Sequence, residues 1–213
     1  MQINVVKNAK KNVVFGVANR IIVLLCPFIE RAIVQTVLGS QYLGLGSLYS
    51  SIISVLSLSE LGFSAAMVYN MYKPAAEGNI DKMNALLNFY RKVYRIIGCV
   101  ILVVGLILIP FLPKLINGSY PEDINLVKLY LIYLGNTAIS YFLFAYLQSI
   151  IVVHQRDDIN SMINSIVKIG LTASQIAILL ITKNYYLFSL LMPVFTIVNN
   201  LFIGWRVHTL FPQ

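Results

Sequence analysis

Long apolar runs separated by short clusters of charge set the pattern of this chain. Ile96 to Leu112, for example, carries no charge and almost no polar side chain. About 18 or more apolar residues suffice to cross a bilayer core of roughly 30 Å. Six such spans are expected, over Val13–Thr36, Leu43–Tyr69, Val93–Leu112, Leu126–Val153, Ile159–Ile181 and Tyr185–Val207. In lipid only helices and closed barrels satisfy their own backbone groups. Spans this long, without two-residue alternation, predict helices. The expected fold is all-α: a polytopic membrane bundle of six transmembrane helices, one lobe spanning residues 1–213.

Composition agrees with the pattern. Hydrophobic residues make up 58% of the chain and charged residues 11%, with a mean hydropathy of +0.78. Soluble domains carry about 25% charged residues, so a water-exposed fold is excluded. The net charge of +8 suggests no nucleic-acid partner, because the bases sit between apolar runs and not on one aromatic face. Their distribution instead sets an orientation. Lys7, Lys10, Lys11, Lys73, Lys82, Arg91, Lys92, Arg95, Arg156 and Arg206 fall on one side, and Lys114, Lys128 and Lys183 on the other. That bias places both termini in the cytoplasm and the protein in the cytoplasmic (inner) membrane. Tyr185, Tyr186 and Trp205 stand where interfacial anchors belong. The basic N-terminus is read as leading into a retained first helix, not a cleaved signal. Cys26 and Cys99 fall in opposite halves of their helices, too far apart to pair. Within the loop Met71–Tyr94, Met83, Leu86, Leu87 and Tyr90 share a helical face, which predicts either a surface amphipathic helix or an ordinary structured loop.

Candidate function lies where polarity persists inside the spans. A charge at mid-bilayer costs at least about 2.5–3.5 kcal/mol, so it needs a partner or water. In the fifth span Ser161, Asn164, Ser165, Lys168, Thr172 and Gln175 share one face, and Ile163, Val167, Ile169 and Ile176 an apolar one. The second span carries Ser50, Ser54, Ser57, Glu60 and Ser64; the sixth adds Thr196, Asn199 and Asn200, and the fourth Asn136 and Ser140. Small polar residues also serve as helix–helix contacts, the competing reading for the second span above all. Arg20 and Glu60 lie at similar depth, roughly 10–14 Å above the inner face, and are expected to pair or to form a gate. Glu30 and Arg31 are expected to snorkel to the outer headgroups, and Pro27 to kink the first helix. With Arg20 and Lys168 inward, the interior is expected to be net cationic and suited to an anionic group such as phosphate. The candidate cavity residues are Arg20, Ser54, Ser57, Glu60, Asn164, Lys168, Thr172, Gln175 and Asn199.

Several strings together resemble the Wzx-type polysaccharide flippases. They are Leu56-Ser57-Leu58-Ser59-Glu60-Leu61-Gly62-Phe63, Val68-Tyr69, Met71-Tyr72-Lys73-Pro74, and Ala85-Leu86-Leu87 leading into Tyr90-Arg91-Lys92-Val93-Tyr94-Arg95-Ile96-Ile97-Gly98. Tyr42-Leu43-Gly44-Leu45, Tyr141-Phe142-Leu143-Phe144 and His154-Gln155-Arg156 extend the resemblance over nearly the whole chain. It implies the multidrug/oligosaccharidyl-lipid/polysaccharide superfamily, whose members look like two six-helix bundles around a central cavity. Such proteins move polyprenyl-pyrophosphate-linked oligosaccharides across the cytoplasmic membrane by alternating access, as in O-antigen or capsule biosynthesis, without cofactor or metal. Glu60 matches the acidic position of the family's acidic-Leu-Gly motif. The six spans match the first bundle only, so the expected partners are a second six-helix lobe, the lipid-linked substrate, the bilayer and the polysaccharide polymerase machinery. The nearest alternative is a multidrug or other lipid exporter of the same superfamily, which is expected to keep deep acidic residues for cation coupling. A membrane-embedded enzyme of envelope glycan synthesis has only Asp157, Asp158 and His154 to offer, and acids at a helix start are ordinarily caps. A non-transporting assembly subunit is a third alternative, in which the stripes pack dry.

Overall fold

The computed structural model describes residues 5–60, 62–116, 119–143 and 145–210, with the side chains of 5–7, 59, 60 and 145 left aside. Among the described residues there is helix and no strand. Helix α1 (Val5–Val37) carries Pro27 within it and ends at a turn where Gly39 takes φ 103°. Helix α2 (Ser40–Leu56) passes into a 3-10 turn at Ser57–Glu60, and α3 (Phe63–Ala76) resumes after Gly62 at φ 84°. A left-handed residue is nearly free for glycine and costly for others, so the predicted second span breaks there. Helix α4 (Ile80–Ile107) is capped by Asn79, whose side chain accepts from the Lys82 amide. A 3-10 turn and the short α5 (Leu112–Leu115) follow. Helix α6 (Leu126–Phe142), capped by Asn125, gives way to an extended Leu143, a 3-10 turn and α7 (Gln148–Val153). Helices α8 (Asp157–Thr182) and α9 (Tyr185–Leu210) complete the chain.

The 71–94 region is helical apart from a turn at 77–79, and its helix is not a separate one. It holds the end of α3 and the first turns of α4, which continue without interruption into the apolar run. The predicted face is the inward one: Tyr90 is buried, and Met83, Leu86 and Leu87 pack against the main core.

Contacts between named residues fix the helix directions. Asn12, Asn19 and Glu30 of α1 meet Asp158, Ser165 and Lys168 of α8 in that order, so these two helices run parallel. Helix α4 is antiparallel to α6, with Tyr94 against Tyr141 at one end and the Tyr130 hydroxyl donating to the Gly105 carbonyl at the other. Gly105 permits this approach, since a Cβ there would stand 2.5 Å from Leu134 Cδ1. Helix α6 runs parallel to α2 through Tyr42–Asp123 and Tyr49–Leu126, and parallel to α9 through Asn125–Tyr186 and Asn136–Thr196. Helix α9 folds back on α8, where Gln175 donates to the Phe188 carbonyl.

A large core cluster centred on Tyr49, Leu129, Tyr130, Leu134, Leu179 and Tyr185 fills one part of the bundle, and a smaller one around Ile151, Ile163 and Ile203 fills another. Large apolar side chains nevertheless cover the outside, with Leu24 and Phe28 each 73% exposed and Ile181 81%. Patches on this scale are rare on proteins surrounded by water. Among the described residues, four helical segments, Asn8–Val37, Ile80–Leu115, Asp157–Thr182 and Tyr185–Leu210, are long and apolar enough to cross a membrane.

Candidate functional site

The polar face of α8 divides between two uses. Its first use is a seam with α1. Asn12 closes the start of α8: its side-chain oxygen accepts from the Asp158 amide at 2.8 Å and its nitrogen donates to the Gln155 carbonyl at 3.0 Å. Farther along, Ser165 donates to Asn19 Oδ1. At the far end Glu30 Oε1 accepts from Lys168 Nζ at 2.8 Å and from the Thr172 hydroxyl. The two charged side chains are 23% and 13% exposed. Glu30 therefore does not snorkel to the headgroups; its carboxylate turns inward, where the Lys168 ammonium and the Thr172 hydroxyl satisfy it. Arg31, the next residue, is exposed.

The second use is a cavity of about 460 Å³. Asn164 and Lys168 come from α8, Thr196, Asn199 and Asn200 from α9, and Ser140 and Gln148 from the two sides of the α6–α7 break. Ser64, just past the α2–α3 break, reaches the same space, with Tyr94, Tyr141 and Phe195 as aromatic walls. The cavity thus lies where two helical legs are interrupted, the setting in which irregular backbone is tolerated at membrane depth. Asn199 Oδ1 is buried without a protein partner. The same holds for Gln175 Oε1 and Asn160 Oδ1, which lie off the cavity, so an orphaned amide oxygen here marks tight packing and not a ligand position. Among the described residues Lys168 is the only charged group lining the cavity, and its charge is matched by Glu30.

The other candidate residues fall elsewhere. Gln175 is fully buried and joins α8 to α9 through Phe188, so it is a packing contact and not a wall of the cavity. Thr172 is 5% exposed and serves the seam through Glu30. Arg20 is exposed on α1, one position round from the inward Asn19, and Ser54 is exposed on α2. Neither lines the cavity. The expectation of a net cationic interior is corrected accordingly: Lys168 is neutralised and Arg20 does not join it. Ser57 lines a separate groove of about 650 Å³ with Ser64, Tyr69 and Tyr72. The Glu60 side chain, and with it the proposed Arg20–Glu60 pair, lies outside the described residues.

Sequence reading missed Gln148, Tyr94 and Tyr141 as cavity residues and Glu30 as the partner of Lys168. Glu30 had a usable signal, being an acid in an apolar run at a depth that a parallel α8 matches. Asp157 and Asp158 stand in the first turn of α8, where Asp158 pairs with Arg156 at 2.9 Å and Asp157 accepts from Asn160. These contacts hold the helix start, as acids near the positive end of a helix dipole do. Comparison with known protein families, with curated proteins and with solved structures finds no match to this chain.

Proposed function

We propose that this chain is one six-helix lobe of a transporter in the cytoplasmic membrane, with both termini inside, that carries polyprenyl-pyrophosphate-linked oligosaccharides between leaflets. The helix directions support six legs. Helices α1, α4 and α8 run one way, while α2, α6 and α9 run the other, with α3 and α7 completing the interrupted legs. Four long helices alone omit those two broken legs, whose halves are too short to qualify singly.

The observation that carries the reading is the cavity at the two breaks. It gathers amides and hydroxyls from several legs inside a bundle whose outside is apolar. Interrupted helices bordering a polar space are the recurrent construction of transporter sites. The flippase assignment itself rests on the resemblance of the motif strings. A cation-coupled exporter is the second reading, favoured by Glu30 as a carboxylate inside the bundle. Against it, Lys168 already holds that carboxylate 2.8 Å away.

Depleting the protein in its native host separates the two. A flippase predicts accumulation of lipid-linked repeat units on the cytoplasmic side with drug sensitivity unchanged; the converse pattern rejects it in favour of the exporter. Single cysteines at Asn164 and Ser140, in a background lacking Cys26 and Cys99, should react with a water-soluble thiol reagent, and one at Ile169 should not. Equal protection at all three would mean a dry bundle and no carrier.

A further inference from the structure

Resting on the sugar-carrying reading, we propose that the cavity between α6, α8 and α9 accepts an uncharged, hydroxyl-rich sugar chain, and that Glu30 sets this preference by neutralising Lys168. The lining supports it from two directions. Asn164, Asn199, Asn200 and Gln148 line the cavity with amide side chains, a group that carries both a donor and an acceptor. A sugar hydroxyl is likewise both, so amide-rich walls match glycan edges in a way that a ring of like charges does not. Phe195, Tyr94 and Tyr141 add apolar ring surface of the kind against which the C–H faces of pyranoses pack.

Charge completes the argument. Lys168 sits between two spaces: its own side lines the 460 Å³ cavity, while Glu30 lines a neighbouring one of about 160 Å³ with Arg31, Tyr133 and Tyr185. The ammonium is tied to Glu30 at 2.8 Å and Thr172 braces the same carboxylate oxygen. Seen from the cavity, the pair is a dipole and not a cation. An acidic sugar entering there leaves its hydration shell with no unmatched positive charge to receive it, and burying an unpaired charge is strongly unfavourable. Removing the Glu30 charge frees Lys168 for an anion without altering the amides.

The test uses the purified full chain in lipid nanodiscs and two probes of equal length, a neutral gluco-oligosaccharide and an oligogalacturonate, with binding read by calorimetry. Wild type should bind the neutral probe at least about tenfold more tightly than the acidic one. Glu30→Gln should raise affinity for the acidic probe by about tenfold and leave the neutral probe within about threefold. Lys168→Gln should weaken acidic binding further, and the double variant should bring the ratio back toward that of wild type, a pattern that misfolding cannot imitate. Preference of wild type for the acidic probe, or a ratio unmoved by Glu30→Gln, overturns the proposal alone. Binding of neither probe by any variant overturns it together with the sugar-carrying reading.

Discussion

The two flanks of α8 carry similar side chains and use them differently. Toward α1, Ser165, Lys168 and Thr172 each meet a polar partner, respectively Asn19 and the shared Glu30 carboxylate. Toward α6 and α9, Asn164 lines open space together with Asn199 and Asn200 of α9. Both arrangements answer the same problem, which is that lipid rejects polar groups. The seam answers it with protein and gains a fixed helix pair; the cavity leaves it to water or ligand. Polarity within a span thus has two meanings, and only partner geometry separates them.

The sharpest way to break the comparison is to remove one member of the seam. Glu30→Ala leaves Lys168 as an unpaired ammonium, and breaking a buried pair in this way costs about 3 kcal/mol. The expected result is a clear fall in the thermal midpoint in detergent, which Glu30→Leu combined with Lys168→Met should largely reverse. A midpoint unchanged by Glu30→Ala would mean that the ammonium is already well hydrated and that seam and cavity are one wet space. Asn12→Ala comes next. It removes the group that accepts from Asp158 N–H and donates to the Gln155 carbonyl, a loss of about 1–2 kcal/mol by comparison with helix caps. Hydrogen exchange should then rise at the first turn of α8 before it rises elsewhere.

Much of the architecture was legible in the pattern of apolar runs, because lipid forces each run into a helix whatever its local propensity. Helices α8 and α9 begin and end within a few residues of the expected limits. The breaks show where that legibility ends. Gly62, with serines just before it, signals one of them, but the chain around Leu143 reads Phe-Leu-Phe-Ala, with nothing that disfavours a helix. Beyond that interruption α7 packs against α3, a long-range contact that the local sequence does not announce. The same limit applies to the site. The α8 stripe was visible from spacing, yet its division into seam and cavity depends on how α1 approaches, and Glu30 pairs across 138 positions of sequence. Gln175 and Asn164 lie on one predicted face, but only Asn164 reaches the cavity.

Cavity residues should respond in the opposite sense from seam residues. Asn199→Leu replaces an unsatisfied amide with an apolar group of similar size, so stability should stay within about 0.5 kcal/mol of wild type or rise slightly. Under the proposed function, transport should fall by about tenfold, because the cavity loses one of its amide walls. Stability loss with transport preserved would make Asn199 a packing residue and move it to the other side of the comparison.

The smallest effect is expected at the edge of the bundle, where a polar contact has water available as an alternative. Tyr42 stands in the first turn of α2, before the apolar run that begins at Leu43, and its hydroxyl donates to Asp123 Oδ1 at 2.6 Å. Partial burial and the neighbouring carboxylate push the phenol up from its ordinary value to about 12. Because the folded value is raised, the contact stabilises fully below the unfolded value near 10, and its contribution is lost as pH rises through about 12. Tyr42→Phe should therefore cost about 0.5 kcal/mol at neutral pH, since an exposed hydrogen bond exchanges with water at little loss. The same substitution should flatten whatever alkaline destabilisation wild type shows between those two values. A loss as large as that of Asn12→Ala would place this contact in a protected environment, and the line between paired interior and wet margin would then have to be drawn farther out along α2.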